Sequence, residues 1–232
     1  MYQDHEHLEK IADDIILWKY MDFSKFVNIL TTNKIWFNKI KCFEDVYEGT
    51  YPLGNRLAKN PFYKGLPLTD VGYDQLQDYE QKRLYVLCFH HNEYESAAMW
   101  SLYAKDAGIA IKTTGERLKK CFDKEERTIL ISPVTYIDYE KDCLPEWNLF
   151  HLGTHKRKSF SHENEIRCMY FNHGDEIDNR GEYISADCSE LIEKVYISPY
   201  APDYLLDTIK VLLDKFGLSI PVIKSPLYTI SK

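Results

Sequence analysis

The chain lacks the spacings that announce a metal-held or disulfide-stapled fold. Its six cysteines (Cys42, Cys88, Cys121, Cys143, Cys168 and Cys188) include no C-x-x-C pair, and no histidine stands at finger spacing beside them. Zinc fingers and ribbons are thereby excluded. The acidic stretch "FEDVYEG" (43–49) lacks the spacing of a calcium-binding EF-hand loop. His151 and His155 stand four apart, yet no third ligand accompanies them. No acid pair is followed by E-x-K, so a metal nuclease is not supported, and no metal is expected. No apolar run approaches the length of a membrane span. The opening "MYQDHEHLEK" is polar and acidic, unlike a secretory leader. The expected compartment is therefore a reducing cytoplasm, with all six thiols free. An excess of positive charge is also missing: the net charge is −7, which disfavours non-specific grip on nucleic acid or an anionic membrane. Internal repeats and low-complexity tracts are absent. Residues 1–232 read as a single domain.

What is present is aromatic side chains, at 14% of residues, including 18 tyrosines. They must fill a core or a cleft. Helical spacing is expected over residues 6–14 (Leu8, Ile11, Ile15), 23–33 with Phe23, Phe26, Val27 and Leu30 inward and Asn33 at the stop, and 202–217 with Leu205, Leu206, Ile209, Leu212, Leu213 and Phe216 as an apolar stripe. Ser96 is a plausible N-cap for "AAMWSLYA". Strands are expected at 15–21, 34–39, 83–90, 108–113, 129–139 with an irregularity at Pro133, and 191–198, with an edge strand in "SIPVIKSP". The run 83–90 is apolar on both phases, which places it in the middle of a sheet with Leu84, Val86, Leu87 and Cys88 buried. Residues 40–80 are rich in Gly, Pro, Asn and Asp and read as a long loop excursion. Strands outnumber helices without alternating with them. The fold class expected is α+β: one domain with a mixed, mostly antiparallel and split β-sheet flanked by helices.

"SHENEIRCMYF" (161–171) poses the sharpest question. As one strand it puts Glu163, Glu165, Arg167, Met169 and Phe171 on one face, and Ile166, Cys168 and Tyr170 on the other. A face that begins with three charges and turns apolar suggests a strand that starts in a cleft and ends in the core. A salt-bridged, solvated strand end is the competing reading.

Four motifs in order resemble the bacterial family called domain of unknown function 2971. They are "WKYMDFSKFVNILTTNKIWFNKI", then "FEDVYEG", then Cys88-Phe89 followed by "MWSLYA", and last Lys158, Phe160 and "ENEIR". The resemblance spans residues 17–198. In "FEDVYEG" the family's proline is absent, and Glu44 stands where the family has asparagine. It implies a phage-defence or toxin type of biology. The layout also resembles, more distantly, ADP-ribosyltransferase folds, with Lys19 where those enzymes carry His or Arg.

That second resemblance implies NAD as substrate and no metal. It implies Glu165 as the carboxylate that stabilises the cation left when nicotinamide departs, and Glu163 as the group that serves the acceptor. Lys19, Tyr20, Ser101, Tyr103 and Arg167 would line the nucleotide site. The acceptor would be a protein or a nucleic acid, with no membrane involved. A non-catalytic module that senses a nucleotide or a phage component is the alternative. Outside the resemblance, Lys19 reads as an edge-strand lysine, Met99 and Trp100 as core, "FEDVYEG" as a turn with solvated acids, and the basic run "HKRKSF" (155–160) as either a solvated loop or a small phosphate site.

Overall fold

The apolar run after Arg83 becomes the axis of a nine-stranded sheet. The structure, a computed structural model, describes residues 1–57, 62–63, 66–67, 70–145 and 148–230. In chain order the first elements are β1 (Ile16–Asp22), α1 (Phe23–Thr32), β2 (Lys34–Lys39), α2 (Leu53–Leu57), a short pair β3 (Phe62–Tyr63) and β4 (Leu66–Pro67), and α3 (Asp70–Gln81). There follow β5 (Leu84–His91), α4 (Ala97–Tyr103), β6 (Gly108–Thr114), α5 (Gly115–Lys120), β7 (Leu130–Pro133), β8 (Thr135–Ile137), α6 (His151–Thr154) and β9 (His155–Arg157). The chain closes with β10 (Glu165–Phe171), β11 (Gly181–Ser185), α7 (Cys188–Leu191), β12 (Lys194–Ile197), α8 (Tyr204–Lys215) and β13 (Val222–Lys224). The fold is α+β, with a mixed main sheet: its strands are mostly antiparallel and β12–β13 is parallel, while β8 and β9 pair in parallel as a separate two-stranded sheet.

The sheet splits at β5. One edge of β5 pairs with β10 along its whole length, from Glu165 opposite His90 to Phe171 opposite Leu84. The other edge is shared. Its start pairs with β2 at Tyr85 and Val86, and its end pairs with β1 at His90 and His91. Between these contacts the two partners diverge. There the Lys19 ammonium donates to the Cys88 carbonyl at 2.9 Å, giving a carbonyl in the fork a partner. Burial lowers the proton affinity of Lys19.

Two apolar layers follow from period-two alternation. Tyr85, Leu87 and Phe89 join Ile166, Cys168 and Tyr170 in one cluster with Phe26, Leu118, Leu205, Ile209 and Leu213. The opposite face of β5 and β10 packs Leu84, Val86, Met169 and Phe171 with Tyr51, Tyr73 and Leu152. A third cluster holds Trp18, Tyr20, Met99, Trp100 and Ala110. Leu84, Val86 and Leu87 are buried as expected, whereas Cys88 is only half-buried. All six cysteines are free thiols.

The α1 helix forms where expected: Asp22 caps its start through the Lys25 N–H, and Asn33 ends it in the left-handed region at φ 51°. No helix forms over 6–14. Leu8 belongs to the second cluster and Ile11 to the first, so this segment crosses from one sheet layer to the other. A helix would have held both residues on one side. Pro133 ends β7, so residues 129–139 become two strands in different sheets, β7 and β8. The 40–80 excursion contains α2 and most of α3; its residues 58–61, 64–65 and 68–69 lie outside those described.

Within α3, Glu80 is 4% exposed and accepts the Tyr51 hydroxyl proton at 2.9 Å. Burial raises its carboxyl to about 7, against the pull of that hydrogen bond. A raised folded pKa means that stabilisation by the bound proton is complete at acid pH and lost as pH rises through about 7. Glu80→Gln is therefore expected to gain about 2–3 kcal/mol over the parent at pH 8 and little at pH 4.5. Urea denaturation at both pH values checks this. An equal midpoint difference at the two pH values would show that Glu80 is not the titrating group.

Candidate active site

The strand that carries Arg167 begins at Glu165, two residues later than the alternation from Glu163 suggested. Residues Lys158–Glu163 form a 3₁₀ turn that ends at Asn164, held in the left-handed region at φ 38°. Asparagine tolerates that conformation better than most residues. Glu163 is thus off the strand, which corrects the reading of three charges on one strand face. Glu165 and Arg167 do share a face of β10, and every residue of that strand is buried.

The turn nevertheless returns Glu163 to the same place. Four charges form a closed ring. Lys156 on β9 bridges Glu48 at 3.0 Å and Glu165 at 2.8 Å. Arg167 bridges the second oxygens of the same two carboxylates, Glu165 at 2.5 Å and Glu48. Arg167 also donates to the Gly153 carbonyl at 3.0 Å. The ring side chains are 0–7% exposed. Two cations balance two anions, and ions this far from water persist only when paired in this way. Glu163 is the fifth member. It pairs with Lys156 and accepts the Tyr103 hydroxyl proton at 2.8 Å. Tyr103, on α4, is 48% exposed, so the ring opens to solvent through this residue.

The surplus negative charge settles the protonation pattern. Burial would raise Glu165, but Arg167, the hydrogen bond from Glu163 and Lys156 together hold it well below the usual carboxylate range. Burial raises Glu163, and the neighbouring Glu165 raises it further. Two carboxylates side by side are therefore pushed to opposite tendencies, one fixed as an anion and one ready to hold a proton. Tyr103 keeps its own proton, because burial and then the charge of Glu163 raise it.

"FEDVYEG" is not a solvated turn. Glu48 closes the ring, and Asp45, with its side chain 4% exposed, takes Arg157 in a two-pronged pair at 3.0 and 2.7 Å. Phe43 lies 5.4 Å from the Arg167 guanidinium, and Tyr47 4.5 Å from that of Arg157. Only Glu44 stays exposed among these acids. The basic run is likewise not a free patch, since Lys156 is in the ring and Arg157 is spent on Asp45.

The remaining expected residues are dispersed. Tyr20 is buried; its hydroxyl accepts the Ser96 N–H at 2.7 Å, and its ring meets Trp100 edge-on at 5.0 Å. Lys19 leaves β1 on the other side from Trp18 and Tyr20, and its ammonium is held in the fork. Its position on β1 faces away from Glu165, although the charge of that carboxylate still acts on it. Ser101 is exposed on α4, two residues before Tyr103 and so on another side of the helix. Sequence reasoning missed Glu48, Lys156 and His90, and also Tyr136, whose hydroxyl accepts the Glu165 N–H at 3.0 Å. The order of the motifs pointed at Glu48, because "FEDVYEG" belongs to it; the last motif starts at Lys158, two residues past Lys156.

No family model and no curated protein matches the chain. Among solved structures it is similar to DarT of Thermus sp. 2.9 in complex with carba-NAD+, at 8% identity over 92% of this chain and 96% of that one, with a TM-score of 0.40. The same DarT in complex with NAD+ is 10% identical over 93% and 98%, with a TM-score of 0.39. In complex with ADP-ribosylated ssDNA it is 8% identical over 94% and 96%, with a TM-score of 0.41. Likeness this distant decides neither fold nor chemistry.

Proposed function

We propose that the chain is an ADP-ribosyltransferase-type enzyme that takes NAD as substrate. One observation carries the reading: two adjacent carboxylates at the head of a buried strand, driven to opposite protonation tendencies, with the outer one joined to an exposed tyrosine. The N-glycosidic bond to nicotinamide breaks, and the electron pair leaves with nicotinamide. The ribose carbon is left with cationic character, and the fixed charge of Glu165 stabilises it. Glu163 accepts the proton of the incoming acceptor, a protein or nucleic-acid group. Tyr103 orients Glu163 and borders the nicotinamide ribose, and Tyr20 stiffens the wall behind it. A toxin or phage-defence role rests on the motif order alone and is read out as growth arrest on expression.

A second reading has its own support. All four carboxylate oxygens of Glu48 and Glu165 are engaged by Lys156 and Arg167. A satisfied ring of this kind also suits a rigid module that binds a nucleotide without turning it over. Incubation with NAD, with free nicotinamide measured by chromatography, separates the two. Release is expected. NAD binding without release would favour the sensing module, and neither binding nor release would end both readings. Tyr103→Phe removes one hydroxyl at an exposed position. It is expected to lower turnover about tenfold with the thermal midpoint unchanged, as befits one hydrogen bond to a charged group. A variant as active as the parent would remove Tyr103 from the mechanism.

A further inference from the structure

Among the described residues, four buried side-chain polar atoms have no hydrogen-bond partner, and one of them, His90 Nε2, adjoins the carboxylates. His90 stands opposite Glu165 on one side and Trp18 on the other, so all three share a face of the sheet. Its ring is 5% exposed as a residue and lies 6.2 Å from that of Tyr20. Cys88, two positions back on the same face, is half-buried.

The other ring nitrogen fixes the tautomer. Nδ1 lies 2.5 Å from the Glu163 carbonyl oxygen. A carbonyl only accepts, so Nδ1 carries the proton and donates. Burial lowers the proton affinity of the ring and keeps it neutral. Nε2 is then a bare acceptor. Leaving such an atom unpaired in the interior is costly, and each case calls for a partner. His91 completes the clamp: its N–H donates to the Asn164 carbonyl at 2.8 Å, and the Asn164 amide donates to the His91 carbonyl at 2.6 Å. The end of β5 therefore holds the turn that delivers Glu163.

We propose that His90 Nε2 accepts a hydrogen bond from a ribose hydroxyl of the nucleotide bound beside Glu163 and Glu165, and that Nδ1–H makes the same ring a positioning residue for Glu163. This rests on the NAD reading above. A sugar hydroxyl suits the place because it both donates to Nε2 and accepts from other donors. The free protein bears the cost of an unmet acceptor, and the ligand removes it.

Two variants separate the nitrogens. His90→Asn sets an amide donor near the Nδ1 position and leaves no acceptor at Nε2. His90→Gln sets a carbonyl oxygen near Nε2. NAD+ and, separately, ADP-ribose are titrated calorimetrically into each protein, with thermal midpoints recorded. His90→Asn is expected to bind about tenfold more weakly or worse with its midpoint within a few degrees of the parent, and His90→Gln to stay within about threefold. Binding by His90→Asn equal to the parent overturns the assignment, and so does a His90→Gln variant as weak as His90→Asn. If His90→Asn fails to fold, His90→Gln decides alone by the same threefold margin. A parent that binds neither NAD+ nor ADP-ribose overturns the NAD reading itself, whatever the variants do.

Discussion

Arg167→Leu is expected to cost about 3–5 kcal/mol of folding stability, the range for breaking a buried ion pair from one side. Arg167 is fully buried and holds three groups: Glu165, Glu48 and the Gly153 carbonyl. Leucine fills part of the volume but leaves two buried carboxylates to share Lys156 with Glu163. Either they stay charged at high cost or they take up protons, so the loss should shrink at acid pH. Removing the whole ring is a different experiment. Replacing Glu48, Lys156, Glu165 and Arg167 together by apolar residues leaves Glu163 as the one carboxylate without its cation, and its raised pKa lets it take up a proton, so the fourfold change should cost far less than the single one. Urea midpoints of the single and fourfold variants test this. A loss under about 1 kcal/mol for Arg167→Leu would mean that the ring is not closed in solution.

Glu165→Gln should lower NAD turnover by about a hundredfold or more, as loss of a charge aimed at the reacting centre does in other enzymes. The fold will not ignore the change. The substituted side chain would offer a neutral amide where Lys156 and Arg167 both demand an anion, so the midpoint should also fall. That cost makes the comparison with Glu163→Gln decisive. Glu163 lies outside the balanced ring and has a raised pKa, so its amide variant resembles the proton-bound form and should leave stability intact. A smaller activity loss for Glu163→Gln than for Glu165→Gln assigns the stabilising charge to Glu165. The reverse order would move the cation-stabilising role outward to Glu163. Equal activity of Glu165→Gln and parent would end the enzyme reading.

Local signals carried the frame of the molecule. The doubly apolar run of β5 announced a central strand, and the stripe of α8 buries Leu205, Ile209 and Leu213 while Phe216 at its end stays 39% exposed. Asn33 marked the end of α1. The misses have one physical cause. Asp45, Glu48 and Lys156 looked solvated because their counter-charges lie elsewhere in the chain: a short acidic loop is solvated or buried according to cations that the loop itself does not contain. Period-two counting carried the strand through Asn164, although only the folded turn shows that residue in the left-handed region. Lys19 was legible as a residue facing away from Trp18 and Tyr20. The split in the sheet that holds its ammonium was not, because it depends on where β1 and β2 meet β5.

The ring also sets when the site can exist. Glu48 and Arg167 stand 119 positions apart, and Asp45 and Arg157 stand 112 apart. Contacts of that span close slowly, since the loop entropy must be overcome before any of them forms. During synthesis the loop that carries Glu48 leaves the ribosome on the order of ten seconds before Arg167 is made. Through that interval Glu48 is an ordinary hydrated carboxylate, and no fragment of the chain that ends before β10 can close the ring. Whatever chemistry the ring supports begins only once β10 has been made.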